Sequence, residues 1–260
     1  MTIRIGTSGF SFEDWVGPVY PEDLAKREWL VYYAREFSTC ELNFSYYRIP
    51  DARTLTQIAA KVPQDFQFSI KAFRGITHER ENPEPHMERF SQALAPLIDQ
   101  GKLACVLAQF PYSFHANEGN RTYLKRVREG LADLPMVVEF RSREWISDRT
   151  FEELKALDLG FCCVDQPRFK NLIPPLAVAT GPVAYVRFHG RNRAKWWQHD
   201  EAWERYDYSY SDDELKEWVP KIRDLEEEAP LTLIYMNNHW QGQAVQSARQ
   251  LRILMEEFSE

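Results

Sequence analysis

The sequence predicts a TIM-like (β/α)8 barrel with one irregular crossover, and three observations point to it. Eight short apolar runs recur along the 260 residues, each closed by a polar or charged residue. Amphipathic helical stretches separate them, and strands joined through helices pair in parallel. Between the sixth and seventh runs, Pro167, Pro174, Pro175 and Pro182 rule out a regular helix of normal length. Eight such units closing on themselves form a barrel, with the strand C-termini on one face. A doubly wound open sheet is the alternative. Against it, the first turn has no GxGxxG fingerprint, and no composition break divides the chain into halves. A single domain over residues 1–260 is expected.

Taken in order, the first strand covers Ile3 to Thr7 and ends in Gly6-Thr7-Ser8-Gly9, where glycine permits a tight loop. A helix is expected from about Glu22 to Phe37, on the spacing of Ala25, Trp29, Tyr32 or Tyr33, and Phe37. Thr39 to Asn43 is the second strand. Asp51 caps the next helix, with Leu55, Ile58, Ala59 and Val62 on one side. Strand three, Phe66 to Lys71, leads into a long polar loop, Ala72 to Pro85. A helix over His86 to Asp99 carries Met87, Phe90, Leu94 and Leu97 inward. Strand four is Leu103 to Phe110, and the helix after it spans about Asn120 to Asp133.

Strand five opens at Met136-Val137-Val138 and places Glu139 and Arg141 on one face. Ser147 or Asp148 caps a helix to about Leu157. Strand six is Gly160 to Asp165, and strand seven is Val183 to His189. A long aromatic loop, Gly190 to Tyr210, reads as a lid or binding loop. Ser211 and Glu214 form a capping box for a helix with stripe Leu215, Trp218, Ile222 and Leu225. Strand eight is Leu231 to Asn237. The last helix turns Val245, Ala248, Leu251, Met255 and Phe258 inward.

A net charge of −7 disfavours nucleic acid as a partner, and any basic patch must be local. No signal peptide is visible, and no apolar run approaches the ~20 residues of a membrane span, so a cytoplasmic protein is expected. Cys40, Cys105, Cys162 and Cys163 lie in apolar strands without a CxxC spacing. They read as buried reduced thiols.

The polar residues at the strand ends are the candidate site: Thr7, Ser8, Glu41, Asn43, Lys71, Gln109, Glu139, Arg141, Asp165, Arg187, His189, Asn237, Asn238 and His239. Glu41, Glu139 and Asp165 can supply acid–base chemistry. They can equally each hold an arginine. Lys71 stands out, because desolvation in a barrel mouth lowers a lysine pKa. It reads as a general base or Schiff-base nucleophile, as an anion ligand, or as a structural partner of Glu41. His189 suits proton transfer or, like His239, metal binding with Glu41, Glu139 or Asp165. Arg141 and Arg187 suit bidentate binding of carboxylate or phosphate, with Asn43, Gln109, Asn237 and Asn238 as further substrate contacts. No HxH or HExxH motif calls for a metal, and no cofactor motif is present. The expected partner is therefore a small anionic ligand.

Several of these stretches together resemble one family: Gly6-Thr7-Ser8-Gly9-Phe10, Tyr47-Arg48-Ile49-Pro50, Phe68-Ser69-Ile70-Lys71, Gln109-Phe110-Pro111, Val138-Glu139-Phe140-Arg141 with Trp145, Tyr185-Val186-Arg187-Phe188-His189-Gly190 and Asn237-Asn238. The chain resembles the DUF72 (YecE-like, UPF0759) family from about Ile3 to Leu254. The resemblance implies a TIM-barrel-like fold and a cytosolic setting, and it brings no assigned reaction. Two departures stand out. The family often has a histidine after the VEFR run and a serine before the tryptophan, where this chain has Ser142 and Glu144. Its double proline after strand four is Pro111-Tyr112 here. These features suggest an enzyme, a hydrolase, lyase or isomerase acting on a phosphorylated or carboxylated sugar. The alternative is a non-catalytic protein that binds nucleic acid or a metabolite.

Overall fold

The computed structural model describes residues 2–258; Met1, Ser259 and Glu260 lie outside that range. Alternating apolar runs and helices close into a parallel barrel: β1 (Thr2–Ser8), β2 (Thr39–Leu42), β3 (Gln67–Lys71), β4 (Leu103–Gln109), β5 (Met136–Glu139), β6 (Leu159–Asp165), β7 (Val183–Phe188) and β8 (Leu231–Met236). Each strand pairs with the next, and β8 pairs with β1 from Thr2↔Leu231 to Thr7↔Met236. The first and last strands of the chain are thus sealed together, which removes both sheet edges.

Strand parity decides which side chains enter the barrel. Contacts across non-neighbouring strands identify them. Tyr235 on β8 reaches Thr39 on β2 (2.5 Å) and Ser69 on β3 (3.0 Å) through its hydroxyl. Tyr185 on β7 donates to Glu41 on β2 at 2.7 Å. These groups form a hydrogen-bonded layer just beneath the mouth.

The helices are α1 (Trp29–Tyr33), α2 (Ala52–Ala59), α3 (Glu84–Ala93), α4 (Ala95–Asp99), α5 (Glu118–Gly130), α6 (Asp148–Ala156), α7 (Asp212–Lys216), α8 (Val219–Glu228) and α9 (Gln243–Glu257). Most expected stripes are buried against the barrel, including Phe90, Leu97, Trp218, Ile222 and Leu251. Phe258 and Ala25 are exceptions; Phe258 follows α9 and is 58% exposed, and Ala25 is exposed as well. The expected caps form: Asp51 and Ser147 accept from the Thr54 and Thr150 amides, and Ser211 with Glu214 closes a capping box.

Three helices differ from expectation. In place of a helix over 22–37, a 3-10 turn (Lys26–Glu28) precedes the single α-turn of α1. Ala25 is extended there, and packing of Tyr20 on Trp29 (ring centroids 5.1 Å) overrides helical spacing. The helix expected over 86–99 divides at Leu94, and the one after Ser211 divides at Trp218. Pro96 and Pro220 each open the following segment, because proline lacks the N–H that would continue the helix before it. Within the expected loop 72–85, Gly75–Glu79 forms a π-turn that buries Ile76 and Thr77. A Cβ on Gly75 would lie 2.6 Å from the Phe73 ring and 2.8 Å from the His86 ring, so any larger residue would have to displace them. The crossover between β6 and β7 contains no helix, as its prolines require. Among the described residues, no helix is long and apolar enough to cross a membrane.

Candidate active site

The chemistry-bearing side chains meet at the C-terminal mouth of the barrel. Lys71 and Glu139 end β3 and β5, Arg187 is the last residue but one of β7, His189 follows β7 directly, and Arg141 lies two residues past β5. Arg187 lies at the centre, 2% exposed. Its Nη1 donates to Glu139 Oε2 and its Nη2 to Glu41 Oε1, both at 2.7 Å. One guanidinium therefore ties together carboxylates from β2 and β5, a geometry that a planar fork provides and an ammonium does not. Arg141 adds an ion pair to Glu139 Oε1 at 2.9 Å. Burial alone would raise the Glu139 pKa, but Arg141, Arg187 and His189 together hold it well below the usual carboxylate range. Burial opposes the charge on Arg187, and Glu41 and Glu139 outweigh it, keeping its pKa well above normal.

His189 is fully buried, and burial pushes its pKa down to about 3 despite Glu139. The ring is neutral at ordinary pH. Nε2 faces Glu139 Oε1 at 3.2 Å and Nδ1 faces Asn237 Nδ2 at 2.9 Å. The carboxylate needs a donor and the amide supplies one, so the proton is assigned to Nε2. His78, held to Thr77 Oγ1 at 2.9 Å, is also neutral; burial and then Lys71 lower its pKa to about 4.

Among the described residues, the Arg141 and Arg187 guanidiniums balance the Glu41 and Glu139 carboxylates, and the charge of Lys71 has no such partner. Its Nζ makes no ion pair or hydrogen bond among the described residues and lies 4.5 Å from the centre of the Tyr46 ring. Burial, reinforced by Arg187, lowers its pKa to about 7, against the pull of Glu139 and Glu41.

Two cavities meet over this lysine. The larger, of about 650 Å³, is walled mainly by Phe10, Phe12, Phe44, Tyr47 and Ile58. The smaller, of about 280 Å³, contains His78, Arg141, Tyr112, Trp196 and Arg205. Tyr46, Lys71, Gln109 and Tyr206 line both. Asn43 and Asn237 line the larger one.

Asp165 and Asn238, both expected in the site, do not join it. Cys162 faces the interior, 3.8 Å from Glu139, so Asp165 three residues later has the opposite parity. It lies on the outer face of β6, held by Arg191 (2.8 and 2.7 Å), Tyr210 (2.8 Å) and the Trp218 indole (2.7 Å). Asn238 likewise turns outward and donates to Tyr208 O at 2.8 Å and Ser247 Oγ at 3.0 Å. Both residues fasten the 190–210 loop, whose Trp196 is buried over the mouth. Thr7 also faces outward, onto Tyr33.

Sequence reasoning missed Tyr185 and Tyr46. Tyr185 shares parity with Arg187 and His189, which was a usable signal; Tyr46 had none. The four cysteines are free and buried, and burial raises every thiol pKa, Cys105 and Cys163 to about 12, which makes them poor nucleophiles. Among the described residues, no group of three or more His, Cys, Asp or Glu is arranged to hold a metal ion.

A closed parallel barrel with this ion-paired mouth places the chain in a defined class: it belongs to DUF72, a protein family of unknown function, whose model matches residues 4–260. It is 31% identical to the UPF0759 protein YunF of Bacillus subtilis (strain 168) over 270 residues, 98% of this chain and 95% of that protein. Among solved structures, a DUF72 family protein from Thermotoga maritima MSB8 is 39% identical, with TM-score 0.91, covering 98% of this chain and all of the other. Another from Enterococcus faecalis V583 is 28% identical, with TM-score 0.87, covering 98% and 96%.

Proposed function

We propose that the protein is an enzyme of the hydrolase, lyase or isomerase type, acting on a small anionic substrate such as a phosphorylated or carboxylated sugar. One observation carries this reading: Lys71, unpaired among the described residues and with a pKa of about 7, stands where the two cavities meet. A base whose pKa lies near the working pH combines availability with driving force. In its neutral form Lys71 takes a proton from the substrate. Arg141, 14% exposed, turns toward the smaller cavity and receives the anionic group. Arg187, with Glu41 and Glu139, keeps the floor rigid, while Gln109, Asn43 and Asn237 orient the substrate.

The non-catalytic nucleic-acid reading draws less support, because cations of the aromatic loop are committed to nearby acids: Arg191 to Asp165, Glu214 and Glu217, and Lys195 to Glu204.

The test needs no known substrate. The pH dependence of Lys71 acylation, read by mass spectrometry, is expected to show a midpoint near the lowered pKa of about 7. A midpoint above about 9, approaching an ordinary lysine, removes the ground for the reading. With a turned-over sugar phosphate in hand, Lys71→Met is expected to lower kcat by about 10²-fold or more, and Arg141→Gln to act chiefly on KM.

A further inference from the structure

The larger cavity has a chemical character beyond its size. Its lining is rich in aromatic rings. Phe12 stacks on His239 with centroids 4.5 Å apart and planes within 5°, and Tyr46, Tyr47 and Tyr206 stand around them. Between those faces, Ser8 Oγ, Asn43 Oδ1, His239 Nδ1 and Arg187 Nε are shielded from solvent and have no hydrogen-bond partner among the described residues. The Ser8 residue is 2% exposed. Buried polar groups are ordinarily satisfied, so side-chain rotation that turns these four toward the cavity would let a ligand satisfy them. Aromatic faces with a few edge-directed donors and acceptors suit a flat heteroaromatic ring, which stacks through its face and hydrogen-bonds through its rim.

The second lobe also has aromatic walls, Tyr112, Trp196 and Trp197 among them, but it gathers three cations, Lys71, Arg141 and Arg205. A molecule spanning both lobes carries a planar ring at one end, an anionic group at the other, and its connecting portion over Lys71.

We infer that the substrate is of the nucleotide class: a phosphorylated nucleoside, with its base between the rings of the larger cavity and its phosphate at Arg141 in the smaller one. The inference rests on the enzyme reading above and names its substrate class.

Calorimetric titration of the intact protein tests it, using adenosine and uridine monophosphates, the two parent nucleosides, and ribose 5-phosphate. One monophosphate is expected to bind at least about ten-fold more tightly than either of its halves, since one linked ligand engages both lobes. Arg141→Gln should bring that nucleotide down to the affinity of its nucleoside and leave the nucleoside unchanged. Tyr47→Ala, at a 73% exposed position where folding is not at stake, should weaken nucleotide and nucleoside alike by about five-fold or more and leave ribose 5-phosphate unchanged. Ribose 5-phosphate binding as tightly as the nucleotides, or no nucleotide exceeding its halves, overturns the inference. The Lys71 titration is independent of that outcome, so the substrate class can fail while the enzyme reading stands.

Discussion

Two cations at the barrel mouth, the buried Arg187 and the half-buried Lys71, have opposite relations to stability. Arg187 holds two buried carboxylates, and replacing it with methionine leaves both without that partner. Arg187→Met is expected to cost about 3–5 kcal/mol in urea unfolding. Arg187→Lys should recover only part of this, because one ammonium does not reproduce two separate guanidinium contacts. A loss under about 1 kcal/mol would show that the carboxylates are solvated. Lys71 works the other way. Its pKa falls from the ordinary 10.5 of a solvated lysine to about 7 in the folded protein. Below the folded value the lysine is charged in both states, and the folded protein carries the full burial penalty. Between the two values the folded protein releases a proton that the unfolded chain keeps, so stability rises with pH. Lys71→Met should therefore raise Tm most near pH 6, with the gain fading toward pH 10. At about 2–4 °C per kcal/mol, differential scanning calorimetry resolves the effect. A gain independent of pH would mean that the ammonium is not desolvated.

At the level of elements, β6 and the 190–210 loop are coupled through the outer face of the strand. Asp165 accepts from Arg191, Tyr210 and Trp218 together. Asp165→Asn keeps the shape and removes the charge. It is expected to speed hydrogen exchange across residues 190–210 while the strand amides stay protected. Equal acceleration in the strands would mean that Asp165 supports the barrel itself. The same residue shows what the sequence could and could not reveal. The strand ends were legible because each apolar run stops at a polar residue. For Lys71, Glu139, Arg141, Arg187 and His189, that rule led to one site. For Asp165 and Asn238 it failed, since a strand end has two faces and only parity relative to a residue of known direction separates them. Helix interruptions at Pro96 and Pro220 are readable from proline chemistry, but the apolar stripe continues through both and masks them. The ring-walled cavity had no linear signature. Phe12, Tyr47, Tyr206 and His239 come from four different loops, and no spacing rule connects them.

For the whole molecule, closure matters most. The β1–β8 pairing joins opposite ends of the chain, so neither half of the sheet is complete without the other. Unfolding by denaturant is expected to be one transition, with tryptophan fluorescence and far-UV circular dichroism coinciding. Separated midpoints would show that part of the barrel melts alone. A chain ending at Ala229, before β8, would expose the edges of β1 and β7 and is expected to aggregate.

Trp203 in the 190–210 loop and Trp240 beside β8 stack with centroids 3.7 Å apart and planes within 13°. Two indoles so close couple their electronic transitions, and where the two transition dipoles are neither parallel nor perpendicular the expected result is a paired positive and negative band in the ultraviolet circular dichroism. The protein thus carries its own chiroptical gauge of whether the loop is seated. Nothing need be attached to the chain, and a Trp203→Phe variant supplies the blank.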